Sequence, residues 1–113
     1  MPKKTDPFKS LIIKGKFNDF TDFYDENKET IYQSIIEIFR EFKTSKKRNL
    51  TLYVSAKIKN LDWDTEFNFK KDETIVLKRD LLPYYEDIED YETCIEIKNI
   101  YNYLTKQKEL VTF

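Results

Sequence analysis

The feature of the sequence that most constrains its fold is a pair of neighbouring segments in which apolar and polar residues alternate. The alternating positions are Leu50, Leu52, Val54, Ala56 and Ile58 in the first segment, and Trp63, Thr65, Phe67 and Phe69 in the second. A period of two is the period of a β-strand that buries one face. The alternation therefore predicts two adjacent strands that bury the same side of a sheet.

The two segments are predicted to form a hairpin around Asn60-Leu61. An antiparallel register at that point places Val54 opposite Phe67 on the core face and Lys57 opposite Asp64 on the polar face, so that opposite charges meet across the strands. Because Asn60-Leu61 lacks the glycine that a tight primed turn prefers, a four-residue loop in the same register is a second interpretation.

Further strands are predicted on both sides of the hairpin. Residues 74–79 fit a third strand after a loop at Lys71-Asp72-Glu73, which completes an antiparallel meander over residues 49–79. Residues 8–17 are rich in β-branched and aromatic side chains, and they predict an extra N-terminal strand in which Gly15 marks a bulge or the strand end. We expect residues 1–7 to be disordered.

Helical periodicity flanks the predicted sheet. An amphipathic helix is predicted over residues 27–45, after a loop at 18–26, and its apolar positions are Ile31, Ile35, Ile38, Phe39 and Phe42. Asp25 or Asn27 is the predicted cap of this helix. One or two helices are predicted over residues 81–107, with Asp80 as cap, Pro83 in the first turn and a break near Thr93. Leu110–Phe113 is predicted to form a short strand or a frayed end.

These elements predict a single α+β domain over residues 1–113, in which both helical regions cover one face of the sheet. The helix contributes the five apolar positions given above to the predicted core. The sheet contributes Leu52, Val54, Ile58, Trp63, Phe67, Phe69, Ile75 and Leu77.

The absence of histidine and the presence of a single cysteine, Cys94, exclude the common catalytic constellations. A serine or cysteine nucleophile paired with histidine cannot be built, and neither can the usual zinc sites. We expect a protein that is not an enzyme and that uses no metal or cofactor. One cysteine forms no internal disulfide, and no apolar run is long enough for a membrane span, so we expect a cytoplasmic, intracellular location.

Two carboxylate patterns are weak signs of metal chemistry. Asp62, Asp64 and Glu66 stand two apart on one predicted strand face, where neighbouring lysines favour ion pairs over a cation. Asp80 followed by Glu96-Ile97-Lys98 has the loose spacing of a metal-dependent nuclease, a remote alternative that requires residues 94–98 to form a strand.

Nucleic-acid binding is the main alternative function. The net charge of −1 provides no global attraction, so binding requires a local basic patch. The candidate residues are Lys43, Lys46, Lys47, Arg48, Lys70 and Lys71, with Tyr53 available for stacking. The order helix, three strands, helix over about residues 28–105 is similar to that of double-stranded RNA-binding domains. That family places a lysine cluster where this chain has Asp80-Leu-Leu-Pro-Tyr-Tyr-Glu-Asp, so we do not assign the chain to it.

The segment from Tyr84 to Glu96 has six carboxylates, three tyrosines and no basic residue. As a helix it would present an acidic surface with aromatic anchors, whose candidate residues are Tyr84, Tyr85, Glu86, Asp87, Glu89, Asp90 and Tyr91. The alternative is purely structural: carboxylates at a helix start and tyrosines packed on the sheet. We favour a noncatalytic protein-interaction module, an inhibitor or accessory subunit of phage or mobile-element origin, that binds a partner with a basic surface. A homodimer is a further interpretation.

Overall fold

The computed structural model of the protein describes residues 7–111, with the side chains of residues 7–106. Three strands form one sheet in the order β1-β2-β3: β1 is Lys9–Ile12, β2 is Asn49–Ile58 and β3 is Leu61–Lys70. Three α-helices are present in this part of the chain: α1 is Phe20–Thr44, α2 is Leu82–Asp87 and α3 is Tyr91–Val111. A π-helical segment, Leu77–Leu81, directly precedes α2. The α+β class is therefore confirmed.

The sheet is mixed, and the prediction of a purely antiparallel sheet is wrong. Strand β1 runs parallel to β2, with Lys9 opposite Leu52 and Ile12 opposite Ser55. Parallel neighbours need a long crossover connection, and α1 supplies it between these two strands. The predicted N-terminal strand over 8–17 is confirmed only in part: it ends at Ile12, and Gly15 takes a φ of 125° in the loop that follows.

The hairpin turn consists of Lys59 and Asn60, not Asn60-Leu61. Both residues have positive φ, 53° and 63°, which is the conformation of a two-residue type I′ turn. Such a turn pairs Ile58 with Leu61 and moves the register by two residues from the prediction. Lys57 Nζ accordingly lies 3.5 Å from Asp62 Oδ1. Because the shift is even, every side chain keeps its predicted face.

The third predicted strand, residues 74–79, is wrong. Leu77, Leu81 and Tyr85 are all fully buried, and their four-residue spacing is that of a helix. The sequence predicted that a strand ends at residue 79 and that a helix begins at residue 81. The buried residues instead keep one helical period across that boundary. Ile75, predicted to face the sheet core, is exposed instead.

The π-helical segment is explained by Pro83. The Leu82 N–H donates to the Leu77 carbonyl five residues earlier, the hydrogen bond of a π-helix. A proline has no N–H, and its ring clashes with the carbonyl four residues before it. The wider turn ahead of Pro83 relieves that conflict. Asp80 lies inside this segment and does not cap a helix, although Pro83 is in the first turn of α2 as predicted.

Helix α1 begins seven residues earlier than predicted, at Phe20, so the predicted loop at 18–26 is wrong. Asp19 Oδ1 accepts a hydrogen bond from the Asp22 N–H at 2.8 Å, the contact of an N-cap residue. Asp19 is therefore the cap, in place of Asp25 or Asn27. The fully buried Phe23 extends the apolar face of the helix by two turns ahead of Ile31.

The described residues divide into two compact units, and α1 contributes to both. The first unit contains the residues up to Ile38 and Asn49–Phe69. Its buried apolar residues are Phe17, Phe23, Ile31, Ile35, Ile36, Ile38, Leu50, Leu52, Val54 and Ala56. The second unit contains Phe39–Arg48 and the residues from Lys70 onward. Its buried apolar residues are Phe39, Phe42, Leu77, Leu81, Tyr85, Cys94, Ile97, Ile100 and Leu104. The single domain stays a prediction.

In the first unit, residues 20–38 of α1 cover one face of the sheet. The Trp63 ring of β3 lies 5.3 Å from the Phe20 ring and 5.4 Å from the Phe23 ring, in edge-on geometry. Lys9 of β1 pairs with Glu37 of α1 at 3.0 Å. The core prediction is correct for all five helix positions and for Leu52 and Val54. It is wrong for Phe67, which is 42% exposed.

The ends of the chain are described only in part. Helix α3 continues through Val111, so the predicted strand at Leu110 is wrong, and residues 112–113 lie outside the described part. Residues 1–6 of the predicted disordered segment also lie outside it. Across residues 7–111, no helix combines the length and the apolar character needed to cross a membrane.

The burial of the aromatic residues predicts their contributions to stability. Phe23→Ala should lower the free energy of unfolding by about 3–5 kcal/mol, because Phe23 is fully buried against three other rings. Phe67→Ala should cost about 1 kcal/mol, because much of that ring is already in solvent. Urea unfolding, followed through the single tryptophan Trp63, measures both. Equal losses for the two variants would contradict this assignment of the core.

Candidate protein-interaction surface

The acidic, tyrosine-rich segment occupies α2, the turn after it and the first turns of α3, all within the second unit. Glu86, Asp87 and Glu89 are exposed, as predicted for a surface that binds a partner. Tyr91 is 61% exposed at the start of α3. Four of the seven predicted interface residues therefore lie on the surface, close together in sequence.

Three of the predicted interface residues have structural roles instead. Tyr85 is fully buried in line with Leu77 and Leu81, so it cannot contact a partner. Tyr84 is half-buried, and its ring meets the Tyr85 ring edge-on at 5.0 Å. Asp90 caps α3: its carboxylate accepts hydrogen bonds from the Thr93 N–H at 3.2 Å and from the Thr93 hydroxyl at 2.8 Å.

Two exposed isoleucines belong to the same surface. Ile88 is 47% exposed and Ile95 is 60% exposed. Tyr91 and Ile95 are four residues apart on α3 and lie on one side of that helix, and Ile88 lies in the turn that precedes it. We call Ile88, Tyr91 and Ile95 the apolar strip. Helix α3 buries a separate stripe, namely Cys94, Ile97, Ile100 and Leu104.

The turn between α2 and α3 presents a glutamate in a conformation that favours glycine. Glu89 has a φ of 58°, and the following Asp90 N–H donates to the Tyr85 carbonyl at 2.9 Å, as in a Schellman motif. Glycine adopts this left-handed conformation at lower cost than a residue with a Cβ. The Tyr91 hydroxyl donates to Glu89 Oε1 at 3.4 Å, so this carboxylate borders the apolar strip directly.

The surface is strongly acidic. We define the acidic rim as Glu86, Asp87, Glu89 and Glu92, all of them exposed. No lysine or arginine occurs between residues 80 and 97. Glu96 does not belong to the rim, because Arg40 Nε donates to its Oε2 at 2.6 Å.

Cys94 lies beneath this surface as a buried thiol. Burial raises the pKa of the Cys94 thiol, and the neighbouring Glu86 carboxylate raises it further. A raised pKa keeps the group protonated at neutral pH, which is the unreactive form. The geometry therefore gives Cys94 a packing role and no role as a nucleophile.

The predicted basic residues are brought together at the ends of β2 and β3. The Lys71 N–H donates to the Arg48 carbonyl at 2.9 Å, which joins the two basic segments of the sequence. Lys46, Lys47, Arg48 and Lys70 are exposed. Lys43 is half-buried, and its ammonium group lies over the Tyr103 ring at 5.6 Å.

Tyr53, predicted as a stacking residue for nucleic acid, lies in the sheet of the first unit. Its hydroxyl donates to Asp64 Oδ2 at 2.9 Å. This hydrogen bond is the main reason why the pKa of the Tyr53 hydroxyl is raised. The ring is half-buried and tied to a carboxylate, an unfavourable setting for stacking against a base next to phosphate.

Four of the five carboxylates in the two metal patterns are engaged with other groups, Asp64 with the Tyr53 hydroxyl. Asp62 pairs with Lys57, Asp80 accepts two hydrogen bonds from Arg79, and Glu96 pairs with Arg40. The hydrogen bonds from Arg79 to Asp80 raise the pKa of the Arg79 guanidinium. Residues 94–98 are helical, so the strand that the nuclease pattern requires is missing. Among the described residues, no three metal-ligating side chains are grouped closely enough to hold an ion.

A shallow depression of about 560 Å³ lies on the sheet face of the first unit opposite α1. Its charged lining residues are Lys14, Lys57, Asp62 and Asp64, and Ile12 and Tyr53 contribute apolar area. The two signs of charge are balanced and partly paired with each other, so the lining selects no single class of ligand.

Comparison with models of known protein families, with curated proteins and with solved structures gave no match. The candidate surface therefore has to be interpreted from its own geometry: an apolar strip with an acidic rim, on a small α+β protein.

The capping role of Asp90 predicts a specific pattern of stability. Asp90→Ala should lower the free energy of unfolding by about 1 kcal/mol, because α3 loses the acceptor for the Thr93 N–H. Asp90→Asn should leave stability within a few tenths of a kcal/mol, because asparagine caps equally well. Urea denaturation measures both variants. A large loss in Asp90→Asn would show that the charge, and not the cap, is what matters.

Proposed function

We propose that the protein is a noncatalytic protein-interaction module, an inhibitor or accessory subunit that acts by occupying the surface of a partner. The observation that carries the proposal is the apolar strip, three large side chains that are 47–61% exposed in the α2–α3 turn and the first turns of α3. The acidic rim around the strip specifies a partner whose contact surface is basic. The proposed location is cytoplasmic, consistent with a single cysteine held as a free thiol.

Exposed apolar side chains that lie next to one another are a recognised sign of an interface. Single exposed apolar residues are normal on protein surfaces, whereas contiguous ones bordered by polar residues mark binding sites. Tyrosine at the centre of such a strip is a favourable anchor, since it buries a large ring and loses little conformational entropy. Tyr91, between the two isoleucines, is in that central position.

The acidic rim supports both partner selection and the rate of binding. Four exposed carboxylates without an intervening basic residue produce a local negative field, although the whole chain is almost neutral. Such a field steers a basic surface toward the apolar strip and disfavours acidic partners. The predicted partner surface is therefore an apolar groove or patch bordered by lysine and arginine, and binding should weaken as salt rises.

The proposal predicts that two kinds of variant lose the partner. Affinity purification of the tagged protein from its native cell extract, with nuclease added, should retain a stoichiometric protein. Tyr91→Ala with Ile95→Ala should weaken its binding at least about tenfold, the loss expected when anchors are truncated. Reversal of Glu86, Asp87 and Glu89 to lysine should weaken it by a similar factor. Calorimetry with the purified partner measures both effects.

A matched control separates the surface from total charge. Reversal of the exposed Asp25, Glu26 and Glu29 in α1 changes the net charge by the same amount, and partner binding should persist. If this control loses the partner as readily as the rim reversal does, the acidic rim is not the interface. A retained protein that proves to be a second copy of this chain would indicate the homodimer instead.

A second candidate function, nucleic-acid binding, is favoured by the hydrogen bond that joins the basic segments. The contact between Lys71 and Arg48 places Lys46, Lys47 and Lys70 near one another at one end of the sheet. A compact cluster of exposed cations is the electrostatic footprint of phosphate binding. Asp72 and Glu73 follow immediately in the sequence and reduce the local positive charge, so this candidate ranks second.

The second candidate function predicts that the exposed basic residues bind nucleic acid with an affinity that falls as salt rises. Lys46→Gln, Lys47→Gln and Arg48→Gln together should weaken binding to a labelled single-stranded oligonucleotide at least about tenfold and reduce the salt slope by about 2. Fluorescence anisotropy across a salt series measures both quantities. The matched control is Lys14→Gln, Lys16→Gln and Lys59→Gln, three exposed lysines of the first unit. Equal losses in the two triple variants would exclude a specific site.

A further inference from the structure

The outer edge of β3 is a second candidate for binding, independent of the apolar strip. Strand β3 is ten residues long and lies at the end of the sheet order. The free edge of a strand presents unpaired backbone N–H and C=O groups that pair readily with another extended chain. The other edge strand, β1, has only four residues.

The hairpin geometry identifies which residues of β3 point outward. In a hairpin with a two-residue turn, the first pair, Ile58 and Leu61, is hydrogen-bonded, and every second residue after it bonds to β2. The Lys71 N–H, which has the same parity as Leu61, donates to Arg48 as expected. The Lys70 N–H has the opposite parity and donates to Glu73 Oε1 at 2.7 Å, so it points outward and is already satisfied. The outward backbone groups ahead of it belong to Asp62, Asp64, Glu66 and Asn68.

The same residues place a row of carboxylates beside this edge. Asp62, Asp64 and Glu66 are exposed on one face of β3, and Glu66 has no ion-pair partner within the part of the chain that the structure describes. On the opposite face, Trp63 is half-buried and Phe67 is 42% exposed. A strand added at the edge would bring its own alternating side chains within about 5 Å of these two rows.

We propose that the β3 edge binds an extended segment of another protein in which basic residues alternate with apolar ones, added as a fourth strand. Its basic side chains pair with Asp62, Asp64 and Glu66, and its apolar side chains pack beside Trp63 and Phe67. The segment's backbone pairs with the outward groups of residues 62–68.

A second copy of this chain is a poor occupant of the same edge. Two β3 strands that join antiparallel across their outer edges must pair even-numbered residues with even-numbered residues. The two registers with the longest overlap set carboxylates against each other, Asp64 against Glu66 in one and Glu66 against its own copy in the other. Like charges directly opposite each other destabilise a strand pair. The carboxylate row therefore disfavours self-association and leaves a basic segment as the complementary occupant.

The test uses the full chain and a fluorescein-labelled heptapeptide in which lysine alternates with valine. Fluorescence anisotropy should show that this peptide binds at least about tenfold more tightly than a peptide of the same composition with its lysines in one block. The matched control for nonspecific attraction is the triple reversal of the exposed Asp25, Glu26 and Glu29 in α1 to lysine, which should leave this affinity within about twofold. Loss of binding in that variant, or equal affinity for the two peptides, would overturn the proposal.

Backbone pairing is tested separately from charge. Asp64→Pro removes one outward N–H. An edge strand tolerates proline at such a position, so the protein should fold, and peptide binding should weaken at least tenfold. Asp64→Asn keeps that N–H and should weaken binding by no more than about fivefold, the value of one cross-strand ion pair. Circular dichroism checks that both variants fold.

N-methylation of the peptide tests backbone pairing without any protein variant. One peptide carries methyl groups on its lysine amides and another on its valine amides, which blocks one backbone edge or the other. Binding should be lost for one of the two and retained for the other, because only one edge of the added strand faces β3. Equal affinities for the two methylated peptides would overturn the proposal, whatever the result with Asp64→Pro.

Discussion

The structure depends on the burial of the apolar surface of helix α1. Ile35, Ile36, Ile38, Phe39 and Phe42 are all buried, although they point in several directions around the helix. The residues up to Ile38 complete the core of the first unit, and those from Phe39 complete the core of the second. A helix that is apolar on one narrow side needs one partner, whereas this one needs apolar neighbours over a wide arc. Its length also makes it the crossover that sets β1 parallel to β2.

Local patterns in the sequence predicted the elements that have one strong period. The alternation over residues 50–69 gave β2, β3 and the correct face of each side chain, and the helical spacing from Ile31 to Phe42 gave the centre of α1. The turn was misplaced by one residue, because Lys59 and Asn60 adopt positive φ without a glycine. The direction of β1 could not be predicted, since a parallel or antiparallel neighbour satisfies the same four-residue pattern.

The region around Leu77 shows where a period becomes ambiguous. Ile75 and Leu77 alternate like a strand, whereas Leu77, Leu81 and Tyr85 recur like a helix, and short segments fit both templates. The same ambiguity concealed the apolar strip. Tyr91 and Ile95 satisfy helical spacing as well as the buried stripe of α3 does, so only tertiary packing determines which set is covered. Acidic residues, by contrast, were correctly expected at the surface, because an unpaired carboxylate is costly to bury.

The near-zero net charge of the chain conceals segregated local charge. Carboxylates line β3 and the α2–α3 turn, and cations gather where Lys71 meets Arg48. At physiological ionic strength, charges interact over about 8 Å, so each cluster acts on its own surroundings and the total charge has little effect. A partner therefore encounters distinct acidic and basic surfaces on one small protein.

The separation between the buried stripe of α3 and the exposed apolar strip is the physical basis of the proposed interaction function. Cys94, Ile97, Ile100 and Leu104 already supply this helix with a buried face, and Asp90 supplies its cap. The second unit therefore does not depend on Ile88, Tyr91 and Ile95 for its core. Large apolar side chains that contribute little to the core and cost solubility are retained most readily where they bind something else. Glu89 supports the same argument, because it occupies a left-handed position that glycine would fill at lower cost while it borders the apolar strip.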